Sequence, residues 1–133
     1  DNNNKSNANP PPKSADLVWY GNLDKKAVYK RFIDSYRLRL DDDYVWGGGN
    51  LHGLYAQEEP LPDFKKYLNK AKRAGVLPPW WKPENDNELI QMALNDDWAN
   101  INYAVEKSDI TDHYGYGEHF ILRHIAQMIC GDF

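Results

Sequence analysis

Apolar positions recur at three- and four-residue spacing along most of the chain, and nowhere do they alternate long enough for a regular strand. From Asp24 as N-cap, Val28, Phe32 or Ile33, Tyr36 and Leu40 form the first stripe, with Lys25, Lys26, Lys30, Arg31, Arg37 and Arg39 filling the other face. Asp41, Asp42 and Asp43 then break the period, and Gly47-Gly48-Gly49-Asn50 asks for backbone freedom a helix would waste, so residues 41–60 are expected to be a long ordered loop. A second helix is expected after Pro62 and Asp63, with Phe64, Tyr67, Leu68 and Ala71 on one stripe and Gly75 as a left-handed stop.

Pro83 suits the first turn of a third helix that reaches about Leu94 behind the acidic turn of Glu84 and Asp86. Asp96 or Asp97 is positioned to cap a fourth helix through Trp98, Ile101, Ala104 and Val105, with Trp98 expected in the core. Ser108 restarts a short turn closed by Gly115, and after Gly117 a last helix carries Phe120, Ile121, His124, Ile125, Met128 and Ile129 to a stop at Gly131. Leu17 to Tyr20 reads as an extended segment docked on the core, and a minor strand pair over 17–20 and 44–46 is admitted. The fold class is all-α: one compact domain of four to six short helices over residues 17–133, with a long aromatic and glycine-rich loop. Residues 1–16, rich in Asn and carrying Pro10, Pro11 and Pro12, are expected to form a disordered tail or linker.

Composition narrows the class. A chain of 133 residues, 41% hydrophobic, supports one core but not two. Mean hydropathy of -0.81 and the lack of any long apolar run leave no candidate membrane span. The single cysteine, Cys130, cannot close an internal disulfide, which suits a reducing compartment, cytoplasmic or nuclear. No signal peptide is legible, and a first residue of aspartate suggests a processed or excised piece. The net charge of -4 hides an asymmetry, because residues 24–40 carry six basic residues against two acids while residues 83–133 carry ten acids against Lys107 and Arg123. Solvated helix faces account for most of this. A weak nucleic-acid footprint through Lys25, Lys26, Lys30, Lys65, Lys66 and Lys70 ranks third among functions, since the chain is acidic overall.

Candidate chemistry is sparse. Glu106, Asp109 and His113 stand at i, i+3 and i+7, which on one continuous helix would offer a carboxylate and imidazole face; with His119 they form the alternative polar site of a small enzyme or metal-binding domain. Helix capping at Ser108 explains the same residues through dipole logic. His119 and His124 are five apart, about 140° around a helix axis, and do not converge. His52 in the glycine-rich loop has no visible partner. Gly47-Gly48-Gly49 lacks the Lys-Ser/Thr of a phosphate loop, and Cys130 and Ser108 make poor nucleophiles. No catalytic residue, metal ligand or cofactor is assigned.

The aromatic residues carry more. Gly75-Val-Leu-Pro-Pro-Trp-Trp-Lys-Pro83 joins a helix stop, stiff prolines and two adjacent indoles. Trp80 and Trp81, with Trp46, Tyr44 and Tyr55 from the loop, are the candidate contact surface, one indole packing inward and the other meeting a partner.

The succession Asp34 to Tyr44, His52 to Tyr55, Pro60 to Phe64, Gly75 to Trp81 and Val105 to Ile110 with His113-Tyr-Gly115 resembles the C-terminal region of largely uncharacterised fungal proteins with MYND-type zinc fingers, over roughly residues 30–130. In those proteins the finger is a cysteine-rich interaction module, and this chain lacks it, so the resemblance implies no zinc ligand and no catalytic residue. It favours a non-catalytic protein-interaction or adaptor module that binds a protein or peptide through the Pro-Pro-Trp-Trp surface.

Overall fold

The structure is a computed structural model that describes residues 18–131; the tail expected over 1–16, together with Leu17, lies outside the described residues. Among those residues it is all-α. Helix α1 spans Lys25–Trp46, α2 Pro60–Ala74, α3 Pro83–Asn95, α4 Lys107–Tyr114 and α5 Glu118–Cys130, with a 3₁₀ turn at Gly53–Ala56 between α1 and α2. No strand occurs there, so the minor strand pair is not formed; residues 19–22 turn and residues 44–46 are helical.

Helix α1 is the axis of the molecule. Asp24 starts it by accepting the Ala27 N–H at 2.8 Å. Its 22 residues make it about 33 Å long. Every residue from Phe32 to Leu40 is buried, including Arg37 and Arg39, which the pattern had placed on a solvated face. The expected loop at 41–46 is the last turn and a half of the same helix. Three consecutive aspartates can remain helical because each side chain points about 100° from the last and each finds a partner on a different neighbour. Asp41 accepts the Tyr55 hydroxyl, Asp42 takes the Arg123 guanidinium at 2.9 and 3.0 Å, and Asp43 takes Arg39 at 2.9 Å.

Around this axis, α1 packs against α5 and α3, while α2 packs against α5 and the 3₁₀ turn. Arg31 pairs with Glu118 and Arg39 reaches the Ala126 carbonyl, so α1 and α5 advance in the same direction. The α1–α2 seam is aromatic: Phe32 and Tyr36 meet Phe64 and Tyr67 with ring centroids 5.1–6.0 Å apart, and the Tyr67 and Ser35 hydroxyls join at 2.7 Å. Gly75 ends α2 at φ 70 as expected. Trp19 docks its indole N–H on the Val76 carbonyl at 2.9 Å.

The expected fourth helix over 96–105 does not form. Its apolar residues Ala99, Ile101 and Val105 are buried, but on bends, turns and the irregular segment before α4. Asp96 accepts from the N–H groups of Trp98 and Ala99, and Asn100 accepts from the Asn102 N–H while donating to the Asp96 carbonyl. Side chains thus occupy the backbone groups a helix would need. Helix α4 begins after Glu106 instead, whose N–H bonds the Asp109 carboxylate at 2.8 Å, so Asp109 caps and Ser108 does not. On α5 the buried face is His119, Leu122, Ile125, Ala126 and Ile129, which leaves Phe120 and Ile121 exposed and His124 half-buried.

Candidate functional site

Three features of the described residues collect chemistry. The first is a buried network on Asp34. Its Oδ1 accepts from Arg37 Nε at 2.9 Å and Nη2 at 2.7 Å, and its Oδ2 accepts from the Trp98 indole at 2.9 Å and from the Tyr114 hydroxyl. Arg37 also donates to the Tyr103 carbonyl at 3.0 Å and lies over the Trp98 ring. Burial, then the Asp34 charge, holds the Tyr114 hydroxyl well above its ordinary range. With every polar atom of the ion pair bonded, this is a structural knot between α1, the 96–103 turns and α4. Trp98, expected in the core, is half-buried: its indole N–H reaches Asp34 while its face stacks on His113 at 4.0 Å and 5°.

The second feature is a cavity of about 460 Å³ bounded by α1, α2, the end of α5 and the chain at Asn50–His52. His52, expected to be partnerless, lies between two carboxylates: Nδ1 is 2.6 Å from Asp63 and Nε2 is 2.9 Å from Asp43. Asp63 also accepts the Tyr36 hydroxyl at 2.7 Å. Facing carboxylates leave both ring nitrogens best satisfied as donors, which is the imidazolium. The bond to Asp63 raises the His52 pKa, burial opposes it, and Asp43 adds to the rise. Burial alone would raise Asp63, but the bonds from His52 and Tyr36 bring it below its ordinary value. A glycine must stand next in the chain. Gly53 has φ 56, and a Cβ there would sit 2.7 Å from the Tyr36 hydroxyl. As arranged, both ring nitrogens of His52 are held by carboxylates, so the side chain serves as a staple between the chain after α1 and the two helices.

The third feature is aromatic surface, and the structure divides the five sequence-predicted residues between two places. Trp81 is scaffold: its indole donates to Asp86 at 2.7 Å and its ring packs on Tyr29 and Phe32. Trp80 stacks on Trp81 at 5.8 Å beneath Lys25, and both rings are half-buried. Beside Trp81 runs an open groove lined by Leu77, Pro78 and Lys72. Trp46 stands roughly 21 Å farther along α1 than Phe32, at about 1.5 Å per residue, so it shares no surface with that pair. There Tyr44 is 54%, Val45 50%, Trp46 68% and Leu51 46% exposed. Tyr55 joins Tyr44 at 5.6 Å, and Trp46 borders a cavity of about 190 Å³ with Arg123, Ala126 and Gln127 of α5.

The alternative polar site is not drawn together. Glu106 and Asp109 are occupied at the α4 N-terminus, His113 lies flat on Trp98, and His119 is buried on α5 between Tyr116 and Phe120. Burial, with Lys107 and Arg123 nearby, lowers the His119 pKa, and its Nδ1 has no hydrogen-bond partner. Among the described residues no three His, Cys, Asp or Glu side chains are grouped to hold a metal ion. Sequence reasoning missed Asp34, Tyr36, Asp43 and Asp63. The spacings Asp34–Arg37 and Arg39–Asp43, i to i+3 and i to i+4 on one helix, were the available signal for the first and third. No family model, curated protein or solved structure matches the chain.

Proposed function

We propose that this domain is a non-catalytic interaction module, and that its contact surface is the exposed aromatic end of α1 instead of the indole pair after the double proline. The observation that carries the reading is the concentration of Tyr44, Val45, Trp46 and Leu51, each about half exposed or more, beside a small concave pocket at α5. Large exposed aromatic groups next to a pocket are the usual anchors of protein interfaces, and an isolated domain gains nothing from leaving them in water. The partner is a protein or peptide segment that presents apolar side chains to Trp46 and Tyr44. Two further points support a binding role over a catalytic one: His52 has both nitrogens committed, and the carboxylates Asp34, Asp43 and Asp63 are all engaged by donors of the chain itself. The order of motifs that resembles the region beside fungal MYND-type fingers adds the same expectation.

Affinity capture with quantitative mass spectrometry tests it, comparing the full chain with Trp46→Ala and Trp80→Ala. The expected result is a partner held by the parent and by Trp80→Ala but lost from Trp46→Ala, which stays folded. Partner sets that do not distinguish Trp46→Ala from the parent sink the proposal, and loss on Trp80→Ala alone returns the surface to the indole pair.

A further inference from the structure

The 460 Å³ cavity carries charge that the fold does not consume. Among the described residues, Arg39, His52, Lys66 and Lys70 line it against two carboxylates, Asp43 and Asp63. Both carboxylates are already matched, Asp43 by Arg39 and His52, Asp63 by His52 and Tyr36. What is left over is the pair Lys66 and Lys70, one turn apart on α2, so that both ammonium groups reach the same opening. Among the described residues neither lies within 4.0 Å of a carboxylate. Both line the cavity from exposed positions on α2, Lys66 beside Asp63 and Lys70 beside Cys130. Two like charges a helical turn apart repel each other, and an anion between them removes that repulsion.

We propose that this cavity binds a small doubly negative ligand, a phosphate monoester or a dicarboxylate, between Lys66 and Lys70 and above the Asp43–His52–Asp63 floor. The volume falls within the range of small-molecule sites, which run from about 300 to 1,000 Å³. Recognition is by charge instead of a fork of parallel hydrogen bonds, because Arg39, the guanidinium that the described residues place in the wall, is engaged by Asp43 and the Ala126 carbonyl, whereas lysine acts as a point charge. The Asn50 amide at the rim supplies a neutral donor or acceptor for the rest of the ligand. The floor gives the site its shape: His52 ties the segment after α1 to both α1 and α2, so the wall is assembled before the ligand arrives.

The test is an NMR titration of the full chain near neutral pH and low ionic strength, with inorganic phosphate in one arm, succinate in a second and chloride as the reference. Expected are saturable shifts at the amides of Asn50, His52, Lys66 and Lys70 with phosphate, succinate or both, and none with chloride beyond ionic strength. Saturation with phosphate alone assigns a phosphate ester, with succinate alone a dicarboxylate, and with both a site that reads charge. The Lys66→Ala, Lys70→Ala double variant should weaken the saturating ligand about tenfold or more, whereas Lys26→Ala, Lys65→Ala, which removes the same charge from exposed positions outside the cavity, should not. All four lysines are exposed, so both variants keep the parent fold. Shifts that never saturate in either arm, or equal weakening by the two double variants, overturn the proposal.

Discussion

Asp34 is fully buried and accepts from four donor groups, on Arg37, Trp98 and Tyr114. Removing the carboxylate strands the Arg37 guanidinium at 2% exposure, with one bond left to the Tyr103 carbonyl. An uncompensated buried charge is expensive, so Asp34→Ala is expected to lower unfolding free energy by about 3–5 kcal/mol in urea denaturation. Replacing both partners, Asp34→Leu with Arg37→Met, should recover only part of that loss, since it removes the stranded charge but leaves the Trp98 and Tyr114 donors without their acceptor. If the single variant is near neutral, the network is not the knot described here. Glu88 is a surface counterpart. It accepts the Tyr29 hydroxyl, and burial followed by that carboxylate pushes the Tyr29 pKa up to about 12, so Tyr29 stays a neutral donor throughout ordinary conditions.

Between elements, the His52 staple joins the connecting segment to α1 through Asp43 and to α2 through Asp63. Groups facing the ring are those two carboxylates, with the Tyr36 hydroxyl, Arg39 and Lys66 around the same cavity. Its folded-state pKa is raised above the ordinary 6.5. Its contribution is therefore complete below that value and is lost as pH rises through the folded value. Asp63 acts in the opposite sense: with a folded pKa below the ordinary 3.8, it stabilises above that value and loses the effect as pH falls through its folded one. Stability profiles of the parent and His52→Asn, taken as urea midpoints against pH, should lie apart below pH 6.5 and converge on the alkaline side. Parallel profiles across that span would show that the imidazole carries no net proton linkage. The 96–103 turns make a related point about elements: the i, i+3, i+7 spacing of Trp98, Ile101 and Val105 is helical on paper. Asp96 and Asn100, flanking or within that stretch, satisfy the backbone another way.

For the whole molecule, the two aromatic clusters have opposite duties. Trp81 seals the end of α3 onto the first half of α1, whereas Trp46 stands at the far end of α1 with its ring mostly in water. Trp81→Ala is expected to cost about 3 kcal/mol of stability, toward the lower end for a large aromatic because the ring is only half-buried. Trp46→Ala should stay within about 0.5 kcal/mol of the parent. Thermal and urea unfolding of the two variants decide this, and equal losses would contradict the division. The parallel course of α1 and α5 gives the molecule its second property, because it brings Arg123 to Asp42 and Arg39 to Ala126, the residues that wall the cavity of about 190 Å³ beside Trp46.

By itself the amino-acid order determined the helical class, the starts at Asp24 and Pro83, and the stops at Gly75, Gly115 and Gly131, since caps, prolines and left-handed glycines act within one turn of their own position. Only the tertiary structure decided that the three aspartates continue a helix and that His52 is doubly bonded. It also decided that the five predicted aromatic residues lie in two places. Each of these depends on partners far away in the chain: Arg123 for Asp42, Asp63 for His52, and Tyr29 and Phe32 for Trp81. A run of acids reads as a break because, locally, their charges repel. It is a helix here because the fold brings Tyr55 to Asp41 and Arg123 to Asp42, while Arg39, one turn back on the same helix, serves Asp43.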